Sequence, residues 1–157
     1  MQQYSTKVRD ATLFDLLPLA QLAEEYSEES PQMKVHKIDV QSLMNNLAVT
    51  ILTKEGYLKV LEVDGKIAGG MWGLMTTMPW STVKVAQDII LFVKKEYRGY
   101  GLPLIDDWVT WAECNGAKEI VLSTASGIKP QLFSKLMQRK GFVLQGHTFS
   151  KEVTYRQ

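Results

Sequence analysis

What this sequence has little of narrows it first. It holds one cysteine, Cys114, so no internal disulfide can form. The expected setting is a reducing, cytoplasmic one, with Cys114 as a small core residue on a helix rather than a nucleophile. The polar stretch Met1–Arg9 lacks the apolar centre of a signal peptide, and no window is apolar for long enough to cross a membrane. Net charge is nearly absent: 18 basic residues stand against 17 acidic ones, whereas binders of nucleic acid or anionic membranes carry a strong positive excess. No nucleic acid or membrane partner is therefore expected. The two histidines, His36 and His147, are isolated and read as surface or packing residues. No His/Cys/Asp cluster has metal-ligand spacing, so no metal is expected either. Repeats, low-complexity tracts and proline-rich linkers are missing. The 157 residues have the size of one domain, 1–157, large enough to bury a sizeable core.

What is present is concentrated in Ile89–Trp108. Ile89, Ile90, Leu91, Phe92 and Val93 form an apolar run of β-branched and aromatic types, which predicts a strand buried on both faces. After Arg98-Gly99-Tyr100-Gly101, apolar residues recur at Leu104, Ile105, Trp108, Val109 and Ala112, one face of a helix with Pro103 in its first turn. A helix opening there turns its free N–H groups and positive dipole end toward the loop, beside Arg98. That is the makeup of an anion site, and glycines let the backbone approach a phosphate closely. The same residues also describe an ordinary strand–turn–helix. No Gly-Lys-Ser/Thr follows, which excludes a P-loop, and the third glycine of a dinucleotide fingerprint would fall on Leu104.

Val93-Lys94-Lys95-Glu96-Tyr97-Arg98-Gly99-Tyr100-Gly101 resembles the V-x-x-x-x-R-G-x-G form of the signature of the GNAT superfamily of acyl-CoA-dependent N-acetyltransferases. The likeness extends over nearly the whole chain. One position departs in either register: with Arg98 leading, Pro103 replaces the final small residue, and with Glu96 leading, the first residue differs. The resemblance implies an α/β fold with a central mixed, largely antiparallel sheet of six to seven strands flanked by about four helices. It implies acetyl-CoA as cosubstrate, its pyrophosphate held by Arg98, Gly99, Tyr100, Gly101, Leu102 and Pro103, and its pantetheine arm paired with the backbone of Leu91, Phe92 and Val93. The implied chemistry is direct acetyl transfer to a primary amine of a small molecule or a protein, with a carboxylate or water taking the amine proton. Asp88, the acid on the central strand, is the first candidate base, and it also reads as a plain charge at the start of a strand. Glu62 is the second. The family often has tyrosine where this chain has Met137, and asparagine where it has Pro130. The competing class is a non-catalytic acyl-CoA-binding or protein-binding module on the same fold. A monomer and a homodimer are both compatible with the sequence.

The rest of the chain reads as support. Thr6–Arg9 predicts a first strand, and Asp10 or Thr12 can cap a helix with Leu13, Leu16, Leu17, Ala20 and Ala23 on its buried face. Glu24, Glu25, Glu28 and Glu29 crowd that helix's end, either as a solvated face or as an attractor for a cationic amine. Asp39 can cap a second helix over Val40–Leu47. Asp64-Gly65 between Tyr57–Val63 and Lys66–Met75 is a hairpin signal, and Gly69, Gly70 and Gly73 suggest a bulge or a close backbone approach. Thr76–Ser81, with Trp80, reads as a loop that either borders an acceptor pocket or simply packs. Further strands are expected at Val83–Val93, Glu119–Ser123, Phe142–Gln145 and Phe149–Val153, with a helix over Pro130–Lys140.

Overall fold

A hairpin sets the frame. In the computed structural model, which describes residues 4–123 and 128–155, Asp64 and Gly65 both take positive φ, 50° and 81°, as a two-residue turn matched to strand twist demands. The turn joins β2 (Gly56–Val63) to β3 (Lys66–Thr77), and β1 (Thr6–Asp10) pairs antiparallel with the outer side of β2. β3 pairs antiparallel with β4 (Lys84–Val93), whose far edge meets the short β5 (Glu119–Ile120) in parallel, giving a sheet in the order β1-β2-β3-β4-β5. Four α-helices join it: α1 (Leu16–Glu29), α2 (Val40–Leu52), α3 (Leu102–Cys114) and α4 (Pro130–Arg139). The Asp39 carboxylate accepts from the Ser42 N–H at 2.8 Å and starts α2. No helix among the described residues is long and apolar enough to cross a membrane.

Alternating strand side chains feed two cores. Leu58, Val60 and Phe92 pack with Leu19, Leu22 and Tyr26 of α1 and Leu47 of α2. Tyr57, Leu61, Met71 and Ala86 pack with Leu104, Trp108 and Ala112 of α3. The Tyr57 hydroxyl donates to Asp107 at 2.6 Å, and Tyr57 stacks edge-on against Trp108 with centroids 4.8 Å apart. Gly73 makes room for Trp108: a Cβ at that position would lie 2.5 Å from the indole ring.

Several sequence expectations are corrected. The sheet has five strands among the described residues, not six or seven, and no strand forms at Phe142–Gln145 or Phe149–Val153. After the Phe142 N–H donates to the Met137 carbonyl, the chain to Tyr155 runs exposed, with Phe149 at 92%. A strand needs a neighbouring edge, and β5 offers only two residues of one. α2 runs five residues past the expected Leu47, to Leu52. Cys114 is exposed, because it lies two residues beyond Ala112, roughly 200° around α3 from the buried stripe.

Arg9 ties β1, β2 and the start of α1 together. Its guanidinium donates to both oxygens of the buried Asp15 at 2.8 and 3.0 Å and to Glu62 at 2.6 Å. The bond from Arg9 holds the Asp15 carboxyl below its ordinary value of 3.8, against the opposing effect of burial. A depressed folded-state pKa contributes stability above the unfolded value and loses it as pH falls through the folded one. Asp15→Asn is expected to lower unfolding free energy by about 2 kcal/mol at pH 7, with the deficit shrinking toward pH 3. Urea denaturation at the two pH values checks this, and an equal deficit at both would assign the loss to packing.

Candidate functional site

The sheet opens where β4 and β5 part. Pairing runs through Val85–Glu119 and Ala86–Ile120, and the Val121 N–H still donates to the Ala86 carbonyl at 2.9 Å. Two residues on, the Ser123 N–H donates at 3.0 Å to the Asp88 side chain instead of to main chain. Among the described residues, the ladder of β4 from Asp88 to Val93 is with β3 alone. The β3–β4 register also slips: Trp72 faces Ile90 and Gly73 faces Asp88, so Ile89 is an extra, bulged residue.

A cavity of about 500 Å³ fills the opening. One wall is Gln87–Val93 of β4, and one end is the loop of Arg98, Gly99, Gly101 and Leu102. Ser123, Leu132, Phe133 and Leu136 face it from beyond β5 and from α4, and Tyr26 and Gln32 close the side toward α1. Of the sequence candidates, Asp88, Leu91, Phe92, Val93, Arg98, Gly99, Gly101 and Leu102 come together at this cavity. Tyr100 turns away, packing edge-on to Tyr4 at 5.2 Å, and Pro103 is exposed in the first turn of α3; neither lines the cavity.

The two loop glycines have different reasons. Gly99 has φ +99°, open to glycine and strained for other residues. Gly101 has φ −84°, which any residue adopts; a side chain there would meet Val93 Cγ2 at 2.8 Å. Gly101 thus lets the start of α3 close onto the end of β4. The start of α3 sets the positive end of the helix dipole at the loop that lines the cavity, while Pro103 carries no N–H and the Leu104 N–H donates to the Gly101 carbonyl at 3.1 Å.

Charges are arranged on this frame. Arg98 donates to the Glu29 carboxylate at the end of α1, and its guanidinium lies 5.9 Å from the Phe92 ring centroid. Lys94 pairs with Glu25 at 3.5 Å. Two of the four clustered glutamates are thus matched to the cations of the loop region. The Asp88 carboxyl is pushed above its usual range by burial, against the pull of the Ser123 N–H and the Gln87 amide, which donates at 3.0 Å. Such a carboxyl is a stronger base than a solvated one. Glu62 is away from the cavity and bonded to Arg9. Trp80 is 82% exposed and does not line the cavity, and Met137 is buried, so α4 offers the cavity an apolar wall.

Sequence reading missed Gln87, Ser123, Tyr26, Gln32 and the Arg98–Glu29 pair. The helical period of Leu132, Phe133 and Leu136 was legible, but nothing local says that this face borders an open cavity.

No family model and no curated protein matches the chain. Solved structures do. An aminoglycoside acetyltransferase from an uncultured soil metagenomic sample superposes with TM-score 0.72 at 15% identity, covering 96% of this chain and 99% of that one. A ribosomal-protein-alanine N-acetyltransferase from Brucella melitensis biovar Abortus 2308 gives 0.69 at 16% identity, covering 96% and 100%. The aminoglycoside N-acetyltransferase AAC(6')-Iy, in complex with a bisubstrate analogue built on coenzyme A, gives 0.73 at 14% identity, covering 96% and 99%. At these identities the likeness concerns the fold.

The Arg98–Glu29 pair makes a prediction about anions. Any anion that engages Arg98 competes with Glu29, so Glu29→Gln is expected to tighten binding of inorganic pyrophosphate several-fold, on the order of 1 kcal/mol for a half-exposed pair. Isothermal titration at low salt measures it. Weaker binding in the variant would mean that Glu29 steers Arg98 toward the ligand.

Proposed function

We propose that this chain, whose fold is that of the GNAT N-acetyltransferases, moves an acetyl group from acetyl-CoA to a primary amine, with residues 1–157 acting as one catalytic domain. One observation carries the reading: a β4 edge with no strand partner among the described residues and a cationic, glycine-containing helix start share a single cavity. An amide-rich arm can add to the open edge of β4 as an extra strand does, using the backbone of Leu91, Phe92 and Val93. A pyrophosphate fits the other end, where Arg98, the Gly99–Gly101 backbone and the positive end of the α3 dipole meet. A cavity of about 500 Å³ has the capacity for such a ligand.

The bulge puts Ile89 at the inner end of that edge, beside Asp88. A thioester carbonyl there can be polarised by strand N–H groups. The neutral amine nitrogen then forms a bond to the carbonyl carbon, the carbon–sulfur bond breaks, and the amine proton goes to Asp88 directly or through one water. The departing thiolate takes a proton from water, since Met137 is an apolar side chain buried away from the cavity. That missing acid is also what favours the second reading, a non-catalytic acyl-CoA-binding module. The acceptor is a cationic amine, of a small molecule or a protein.

Coenzyme A and acetyl-CoA are expected to raise the melting temperature, since ligand at a hundred times its dissociation constant adds about 2.7 kcal/mol. Arg98→Ala should weaken coenzyme A binding about tenfold; normal binding would refute the anion-site assignment. Asp88→Asn should bind coenzyme A normally yet turn over slowly. The base works only when ionised and its pKa is raised, so wild-type kcat/KM should climb with pH through that raised value. In Asp88→Asn the limb should vanish. An unchanged pH profile would move the base elsewhere. Thiol release with a panel of amines separates the enzyme from the binding module.

A further inference from the structure

A second cavity, of about 50 Å³, lies between α1, α2 and the sheet. Its walls are apolar: Leu19, Leu22 and Ala23 of α1, Leu43 and Leu47 of α2, and Leu58 of β2 are among them. Trp72 also lines it, but its indole N–H is already committed to the Thr50 hydroxyl at 2.9 Å. The hollow is partly open to solvent, but its apolar lining gives water few polar partners and favours apolar groups.

Its position matters more than its size. Tyr26, Ile90 and Phe92 line both this cavity and the large one. Tyr26 and Phe92 meet edge to face, with centroids 5.5 Å apart, so a single aromatic pair and Ile90 form the partition. Ile90 follows the bulged Ile89, the point on β4 where the thioester sits in the proposed reaction. An acyl tail longer than two carbons attached there has the partition in front of it and an empty apolar space behind it. The space has room for roughly four water-sized groups.

We propose that this second cavity receives the tail of the acyl group, and that the chain uses acyl-CoA donors of about four to six carbons in preference to acetyl-CoA. The proposal rests on the acyl-CoA reading of the main cavity and adds the class of donor. Tyr26 and Phe92 are its positioning residues, turning apart to admit the tail.

Isothermal titration with coenzyme A, acetyl-CoA, butyryl-CoA and hexanoyl-CoA tests it. Butyryl-CoA is expected to bind about tenfold tighter than acetyl-CoA, the value for two further buried methylenes. Ala23→Leu, which fills the cavity from α1, should erase that difference, keep the affinity for acetyl-CoA and leave the melting temperature no lower. Leu43→Phe fills it from α2 and serves if Ala23→Leu does not fold. Butyryl-CoA binding no tighter than acetyl-CoA, or a preference that survives in a folded filled variant, overturns the proposal. Failure of coenzyme A itself to bind would bring down the underlying reading as well, and the free coenzyme arm makes the two failures distinguishable.

Discussion

Parallel pairing between β4 and β5 lasts two residues, and the rest of the site depends on its stopping there. Were it to continue, the backbone from Asp88 to Val93 would be saturated on both sides, and the cavity would close into sheet. Two local devices hold the strands apart. The Asp88 carboxylate takes the Ser123 N–H and so satisfies a donor that the ladder has abandoned. The bulge at Ile89 bends β4 away at the same level. Asp88 is thereby held where β4 and β5 part, by the bond that satisfies the Ser123 N–H.

The electrostatics follow from what surrounds each acid. Glu62 has a guanidinium within 2.6 Å, so its charge is spent in holding β2 to β1 and to the start of α1. Among the described residues, Asp88 accepts from neutral donors alone, the Ser123 N–H and the Gln87 amide, beside a largely apolar cavity with Leu132, Phe133 and Leu136 in its lining. The two carboxylates differ in what lies beside them: among the described residues Glu62 has the Arg9 guanidinium, whereas Asp88 has those two neutral donors. At the far end of the cavity Arg98 is the counterweight, already matched with Glu29.

Much of this was legible from residue types. Apolar runs marked the strands, Asp64-Gly65 the hairpin, and the glycine-rich loop beside an apolar helical stripe marked the turn into α3. The misreadings have a common physical origin. Phe142–Gln145 and Phe149–Val153 have strand composition, but a strand exists only against another edge, which composition does not supply. Residue type makes Cys114 a core candidate, although helical phase alone points it away from Ala112. Gly101 was legible as necessary, but its reason is contact with Val93 rather than positive φ; that role belongs to Gly99. The Arg98–Glu29 pair joins residues 69 apart, and no local pattern announces it.

Gly73 bears on the site through α3. Trp108 presses into the space its missing side chain leaves, and Trp108 is six residues along α3 from Leu102, roughly 9 Å of rigid helix. A side chain at position 73 would displace the indole and disturb the packing that seats α3 against the sheet. The seating of α3 is therefore set by a glycine in the middle of the sheet, whose partner across the β3–β4 ladder is Asp88.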